Sequence, residues 1–380
     1  MKTQKIRHLI FSIHRHVGFF VGIVIVIVGL TGSLLVFHGE IEAAFVERQF
    51  GAVVPQGTLV SIDQVLGAVQ AEIRDRPDLK IGSLVPPKDT TRPYQARIWD
   101  EKSNQLTQIF VHPYTGQVLG KFTESSNFMQ IALRLHYQLA VGDIGTKLVG
   151  IAALLLLILS LTGIALWPGW RKLTAGFSIK WNAHPKRLNF DLHKVAGIIA
   201  ATFLAFTAFT GFCWNFYEVA YPAIYAITFT PKLPDPVSKP IANHPPVQLS
   251  QILQTAETAF PNAKITWISL PTTPEGVFTI YKQRPNENND FGNSVYLEQF
   301  TGQVLRVDDG QKQGLGDRVL NSFTPLHYGT FGGLPTRILY VFVGLAPLML
   351  FITGLVMWWH RQHKQPGTSI QQPEVTSNCR

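Results

Sequence analysis

Apolar and polar positions are unevenly distributed along this chain. Four runs without a charged residue, 17–37, 148–167, 195–216 and 338–359, are separated by stretches in which charge is frequent. At ~1.5 Å of rise per residue, a helix as long as each run crosses the ~30 Å hydrocarbon layer of a bilayer. The pattern predicts four transmembrane helices. The first is expected to remain as an anchor, being longer than the apolar part of a signal peptide and lacking a small-x-small cleavage site after it. Between runs one and two, and again between three and four, period-two alternation predicts short strands. An amphipathic helix precedes them in each case, at 62–73 and 249–260.

Charge gives this pattern a direction. Lys2, Lys5, Arg7 and Arg15 precede the first run; Arg171, Lys172, Lys180, Lys186 and Arg187 lie between the second and third; Arg361 and Lys364 follow the fourth. Positive residues in short flanks are retained in the cytoplasm, so both termini are expected there, with the chain in a bacterial inner membrane. The long connections, about 39–134 and 218–326, mix both signs and are expected in the periplasm. The net charge of +9 is then an orientation signal. The lipid bilayer is the expected partner and nucleic acid is not.

The sequence also repeats itself. "IHRHVG" at 13–18 matches "LHKVAG" at 192–197, and a Thr-Gly pair follows seventeen residues after His14 (Thr31-Gly32) and after His193 (Thr210-Gly211). "LHY" occurs at 135–137 and 326–328, with Thr162-Gly163 and Thr353-Gly354 twenty-six residues after His136 and His327. "PYTGQVLG" at Pro113 pairs with "QFTGQVLR" at Gln299. Each half reads as helix, small α+β domain, helix. The expected fold class is an α-helical integral membrane protein, a four-transmembrane-helix bundle from an internal duplication with two small α+β periplasmic domains. By residue, 1–38 holds the N-terminus and first span, 39–134 the first periplasmic domain, 135–170 the second span and 171–190 a cytoplasmic loop. The third span is 191–217, the second periplasmic domain 218–326, the fourth span 327–360 and a cytoplasmic tail 361–380.

The spans "IHRHVGFFVGIVIVIVGLTG", "LHKVAGIIAATFLAFTAFTG" and "LHYGTFGGLPTRILYVFVG" resemble those of PepSY-associated transmembrane-helix proteins, and the connecting domains resemble PepSY domains. The resemblance covers nearly the whole chain. Its length and four-helix layout are similar to FoxB-type ferric-siderophore reductases, which implies a ferric siderophore as the periplasmic acceptor.

Histidine is a frequent haem ligand, and a low-spin haem takes two imidazoles from opposite sides, as facing helices of a bundle provide. The repeat supplies two such pairs, His14 with His193 near the inner face and His136 with His327 near the outer. Two molecules of haem b are expected, held without covalent attachment because no CxxCH occurs; the two cysteines, Cys213 and Cys379, are too far apart in kind and place for a disulfide framework. Gly18 and Gly197 stand one helical turn after His14 and His193, where small residues would admit a porphyrin; Ala140, Gly142, Gly329, Gly332 and Gly333 are read the same way beside the outer pair. His38 and then His360 are the substitute ligands, although His360 also belongs with His16 and His363 to the positive flank. His8, His112, His184 and His244 are expected at the surface. Phe203, Phe206, Phe209 and Phe212 are read chiefly as packing, most of the tryptophans, Trp167 and Trp214 included, as interfacial, and Lys194 as an anchor of its helix end.

No charge interrupts the four runs, so no ion site or proton relay is expected, and no dinucleotide or phosphate-binding motif is present. The electron donor must be quinol or a separate cytoplasmic reductase. These features together predict a di-haem membrane oxidoreductase; the resemblance implies that its acceptor is a ferric siderophore, with Tyr137 and Tyr328 as candidates on the substrate side. A non-enzymatic binding or regulatory membrane protein, and a siderophore or haem transporter, are the alternatives.

Overall fold

The computed structural model describes residues 2–363 apart from 104, 124–126, 242–244 and 288. Lys364, Cys379 and His244 lie outside the described residues. The first half runs α1 (Lys2–Leu35), α2 (His38–Phe50), α3 (Ile62–Glu72), β1 (Leu79–Val85), β2 (Tyr94–Asp100), β3 (Gln105–Val111), β4 (Val118–Thr123), α4 (Phe128–Gln138) and α5 (Gly142–Leu166). A short α6 (Leu173–Phe177) leads to α7 (Pro185–Asn215), α8 (Tyr217–Ile227), α9 (Leu249–Ala259), β5 (Lys264–Ser269), β6 (Val277–Gln283), β7 (Asn293–Glu298), β8 (Val304–Asp308), α10 (Leu315–Tyr328) and α11 (Leu334–Gln362).

Helices α1, α5, α7 and α11 are each long and apolar enough to span a membrane. Both α1 and α7 pack against α5 and α11, which places α1 and α7 diagonally in a four-membered ring. The outward faces carry exposed apolar side chains such as Phe20, Ile151, Phe206 and Phe342. Apolar surface of this extent is what a bilayer covers. The protein is a helical membrane protein.

Where the sequence suggests two separate α+β domains, the structure joins their strands into one eight-stranded sheet, ordered β4-β3-β2-β1-β5-β6-β7-β8. The join is an antiparallel contact in which Ser83 faces Ser269 and Leu84 faces Ile268, extended by Leu270 N–H donating to the Gly82 carbonyl at 3.0 Å. Ser269 stands 186 residues after Ser83, the same separation as Thr301 after Thr115 in the two "TGQVL" stretches. The physical reason for the merger is that two four-stranded sheets would each leave an inner edge of unpaired N–H and C=O groups, and pairing β1 with β5 removes both. One core results. Val65 and Val69 of α3, Ile252 and Ala256 of α9, and Leu84, Ile98, Ile268 and Ile280 of the sheet pack together with almost no exposure. Ser61 caps α3 through a reciprocal bond with Gln64, which fixes where that helix begins.

The opposite face of the sheet meets α2, through Val46, Phe110 and Phe122 and through Gln108 Nε2 donating to Glu42 at 2.9 Å. Gln130 of α4 reaches the same carboxylate at 3.4 Å. Arg337 of α11 clamps Glu40 of α2 with contacts of 2.6 and 2.7 Å, donates to the Val36 carbonyl at 2.8 Å, and lies 4.4 Å over the Phe37 ring. The sheet is thereby fastened to one end of the bundle.

The second and fourth spans begin later than the expected boundaries at 135 and 327. His136 and His327 stand on α4 and α10, separate short helices that end in left-handed turns, with φ of 50° at Leu139 and 70° at Gly329. Gly142 and Gly329 serve these turns, where glycine carries no steric penalty. Gly145 is needed for a different reason. A Cβ there would lie 1.7 Å from the Gln138 carbonyl oxygen, so no larger residue allows α5 to turn so tightly under α4.

Because both halves share one core, Leu84→Ala is expected to cost about 2–5 kcal/mol and to expose β1–β4 and β5–β8 to protease together; a half that stayed protected would argue for independent domains. The Arg337 guanidinium holds the Glu40 carboxyl below its ordinary value of 4.5, so its contribution is complete above pH 4.5 and is lost as pH falls through the lowered value. Acid melts of Glu40→Gln should lack that component.

Candidate functional site

The four histidines singled out by the repeat meet in two pairs inside the bundle. His14 of α1 and His193 of α7 have ring centres 6.4 Å apart with planes at 86°. His136 of α4 and His327 of α10 are 6.1 Å apart at 78°. One metal bound in line by two imidazole nitrogens at about 2 Å each would hold the ring centres about 6 Å apart. His14 and Thr31, which contacts the other pair, are seventeen residues apart on α1, so the two levels are separated by about 25 Å along the helix.

Each histidine rests on one of the four Thr-Gly pairs. Nδ1 of His14 is 2.9 Å from Thr162 Oγ1, that of His193 2.8 Å from Thr353 Oγ1, and that of His327 2.7 Å from Thr210 Oγ1. His136 Nδ1 lies 2.8 Å from the Val28 carbonyl and 3.4 Å from Thr31 Oγ1. A hydroxyl has a single hydrogen. Thr162, Thr353, Thr210 and Thr31 donate theirs to the carbonyls of Ile158, Met349, Phe206 and Ile27 at 2.7, 2.7, 2.9 and 2.7 Å. The threonine oxygens are therefore acceptors toward the rings, as is the Val28 carbonyl. The hydrogen of each neutral imidazole must sit on Nδ1, and the lone pair is left on Nε2.

The glycine of each pair lies against the ring, and at Gly32 the missing side chain makes room for it. A Cβ built on Gly32, Gly163, Gly211 or Gly354 would lie 2.8, 3.4, 3.5 or 3.8 Å from Cε1 of His136, His14, His327 or His193. Gly18 and Gly197, expected to admit a porphyrin, face Leu159 and Leu350, with 3.6 Å from a built Cβ to the nearest leucine carbon in both cases. The Thr-Gly spacing is visible in the sequence, but the contact of each pair with its histidine is not. The chain distance of 105 to 160 residues between each threonine and its histidine hides the contact.

Between the levels the bundle is apolar. Val21, Ile25, Ala152 and Leu156 pack from one side, and Ala200, Leu204 and Val343, again with Leu156, from the other. Phe203 joins this layer and meets Tyr340 at 5.9 Å, whereas Phe206 and Phe209 turn outward. Trp214, expected in an interfacial belt, lies 4.7 Å from the His327 ring and 6.1 Å from Tyr328. Trp167 is buried, its ring 2.2 Å from a Cβ built on Gly169 and 2.4 Å from one on Gly176. His38 heads α2 and His360 closes α11, apart from the two pairs formed. Tyr137 and Tyr328 are each partly open to solvent beside the second pair.

Lys194 is not an exposed anchor. Its side chain is 3% exposed, and its ammonium donates to Asp191 Oδ1 and to the Ala175 and Ser178 carbonyls at 2.8, 2.9 and 2.8 Å. Asp191 is fully buried and also accepts from Arg187 Nε at 3.1 Å and the Lys180 amide at 3.2 Å. This cluster ties the 175–180 segment onto α7 beside His193.

Four apolar helices enclosing two histidine pairs, with a sheet fastened at one end, define a class of membrane protein built around paired imidazoles. Residues 11–361 match the family model for the PepSY-associated TM region, and the chain belongs to that family. A search of curated proteins found no match.

Removing one member of a buried ion pair strands the other. Asp191→Asn should lower stability by about 3–5 kcal/mol in thermal melts of detergent-solubilised protein, and adding Lys194→Met should recover a large part of that loss.

Proposed function

We propose that the protein is a di-haem b-type oxidoreductase of the bacterial inner membrane, with cytoplasmic termini and a periplasmic sheet, that passes electrons to a ferric siderophore so that iron is released. The observation that carries this reading is the orientation of the four histidines: each Nδ1 is engaged, and each Nε2 is left as a donor in a pair spaced for a single metal. Two donors per pair suit a macrocycle that brings four nitrogens of its own. The phenol of Tyr340 also fits. It is 4% exposed and its hydroxyl has no hydrogen-bond partner among the described residues, and its ring packs against Gly329, two residues after His327. A buried hydroxyl of this kind calls for an acceptor, such as a porphyrin carboxylate.

His14 with His193, and His136 with His327, would hold the two haems. Bound haem supplies a one-electron couple and needs no nucleophile or general acid from the chain. Thr162, Thr353, Thr210 and Thr31 hold the ligand tautomer and orientation. The layer of Val21, Ile25, Leu156, Leu204 and Val343 excludes water between the levels, which counts against a transport path. Trp214 covers one ligand of the outer pair. The Ser83–Ser269 seam, at the same 186-residue separation as the "TGQVL" stretches, supports reading the chain as two copies of one unit. Electrons would enter from quinol or a cytoplasmic reductase.

Purified protein should show a Soret band that shifts on dithionite reduction, with two b-type haems per chain by pyridine haemochrome. The near-perpendicular ring planes leave two iron orbitals close in energy, so highly anisotropic low-spin ferric EPR signals are expected. His193→Ala should remove one of the two haems, and Thr353→Val should weaken retention of the same haem by about 10–100-fold. A colourless, folded protein would overturn the reading in favour of a binding or regulatory module.

A further inference from the structure

The link between α5 and α7, residues 167–184, contributes to neither histidine pair, yet it is folded closely onto the sheet-distal end of the bundle. Trp170 Nε1 donates to the Ile164 carbonyl at 2.6 Å, and the rings of Trp170 and Phe177 meet buried Trp167 at 5.6 and 5.1 Å. Lys194 of α7 donates to the Ala175 and Ser178 carbonyls at 2.9 and 2.8 Å. Both helices that the link joins are long and apolar enough to span, and they pack against each other. The link therefore lies where the apolar belt of the bundle ends, in a conformation that the protein itself sets.

Its surface combines two chemistries. Trp170, Leu173, Phe177 and Trp181 are between 48% and 68% exposed, and Leu173 and Phe177, four apart on α6, share one face. Among them stand Arg171, Lys172, Lys180 and Lys186, all exposed, and none of the four has a side-chain hydrogen bond or ion pair among the described residues. No acid in sequence offsets them. Asp and Glu are absent from 1–39, 144–190, 192–217 and 318–373, stretches that include the sheet-distal ends of all four spans; Glu374 lies outside the described residues. Asp191, the exception between them, is fully buried and already accepts from Lys194, Arg187 and the Lys180 amide.

Unpaired cations beside large exposed apolar side chains at a bilayer boundary suit an anionic phospholipid surface. The cations meet phosphate, and the apolar groups enter the zone between headgroups and acyl chains. A zwitterionic headgroup fits less well, because its ammonium finds no free carboxylate among the described residues at this end. An acidic protein would satisfy the cations but would have to displace the lipid that borders both spans. We propose that the link is a preformed anionic-phospholipid site, in which Arg171, Lys172 and Lys180 hold lipid phosphates while Leu173, Phe177 and Trp181 insert beside them. The retention of positive flanks on one side of a membrane needs no bound lipid; the site adds a selective, saturable complex. Because Asp191 and Lys194 fix the link before lipid arrives, little ordering is left for binding to impose. The site goes beyond the haem reading and does not depend on it.

The test uses full-length, delipidated protein in detergent micelles, titrated with tritiated phosphatidylglycerol or phosphatidylcholine of the same acyl chains and read by scintillation proximity. Tighter binding of phosphatidylglycerol is expected, with the preference reduced by high salt. Each of Arg171→Gln, Lys172→Gln and Lys180→Gln should weaken phosphatidylglycerol binding by about fivefold, and Leu173→Gln with Trp181→Gln should weaken both lipids, while melting temperatures stay at the wild-type value. Equal binding of the two lipids by the wild type overturns the site, as does a phosphatidylglycerol preference that survives the three charge substitutions together. Lipid binding unmoved by Leu173→Gln with Trp181→Gln overturns the inserted geometry. Competition by glycerol phosphate at the same concentration as the lipid overturns the site in favour of one for soluble phosphate. Tight binding of polyglutamate with no preference between the lipids overturns it in favour of an acidic protein partner.

Discussion

The hydrogen bond from imidazole Nδ1 to a threonine oxygen is the constraint on which the rest of the molecule depends. Its force comes from the threonine's own helix, where the hydroxyl hydrogen is already engaged by the carbonyl four residues earlier. With that hydrogen committed, the oxygen accepts and cannot donate, and the ring beside it is fixed in one tautomer. Three of the four sites repeat this arrangement closely; at His136 the Val28 carbonyl takes the larger share and enforces the same choice. In an apolar bundle an imidazole without such a partner would turn toward any available polar group. The bond holds the ring in place and leaves the lone pair on Nε2.

Each bond also crosses between elements. Thr162 of α5 meets His14 of α1, and Thr353 of α11 meets His193 of α7, so the sheet-distal level stitches neighbouring helices of the ring. At the sheet-proximal level the donors come from α4 and α10, which are not spans but short helices hung from the sheet. The register of the second pair therefore depends on how the sheet is seated. Arg337–Glu40, Gln108–Glu42 and Gln130–Glu42 seat it, and the β1–β5 seam makes its two halves move as one. A sheet split into two domains would let α4 and α10 drift apart and carry their histidines with them.

The two halves differ where chemistry would benefit from direction. Trp214 covers His327, while Leu35, seventeen plus four residues after His14 as Trp214 is after His193, offers no ring to His136. A cleft lined by Trp99, Tyr137 and Gln138, in turn, lies on the His136 side. Beside the distal pair only the second half has the buried Asp191–Lys194 cluster that draws the 175–180 segment inward. A framework that repeats, decorated with residues that do not, gives each face of the bundle its own surroundings.

The four spans, the two amphipathic helices and the histidine pairs were legible in the sequence, because apolar run length and recurrent spacing are local properties that a bilayer and a helix impose directly. The Thr-Gly pairs were legible as a pattern, without a role, since their partners lie more than a hundred residues away. Lys194 was misread for a related reason: a lysine at a span's edge normally snorkels to water, and only the fold brings Asp191 and two carbonyls around it. The helix breaks after His136 and His327 were hidden because glycine beside a ligand serves close approach and a left-handed turn equally well in sequence. The merger of the strands into one sheet was decided by edge pairing, an interaction between backbones that no side-chain pattern encodes. Sequence alone determined which residues can sit in a membrane and which recur; tertiary structure decided which of them touch, because hydrogen-bond direction and strand edges acquire meaning only when distant segments are brought together.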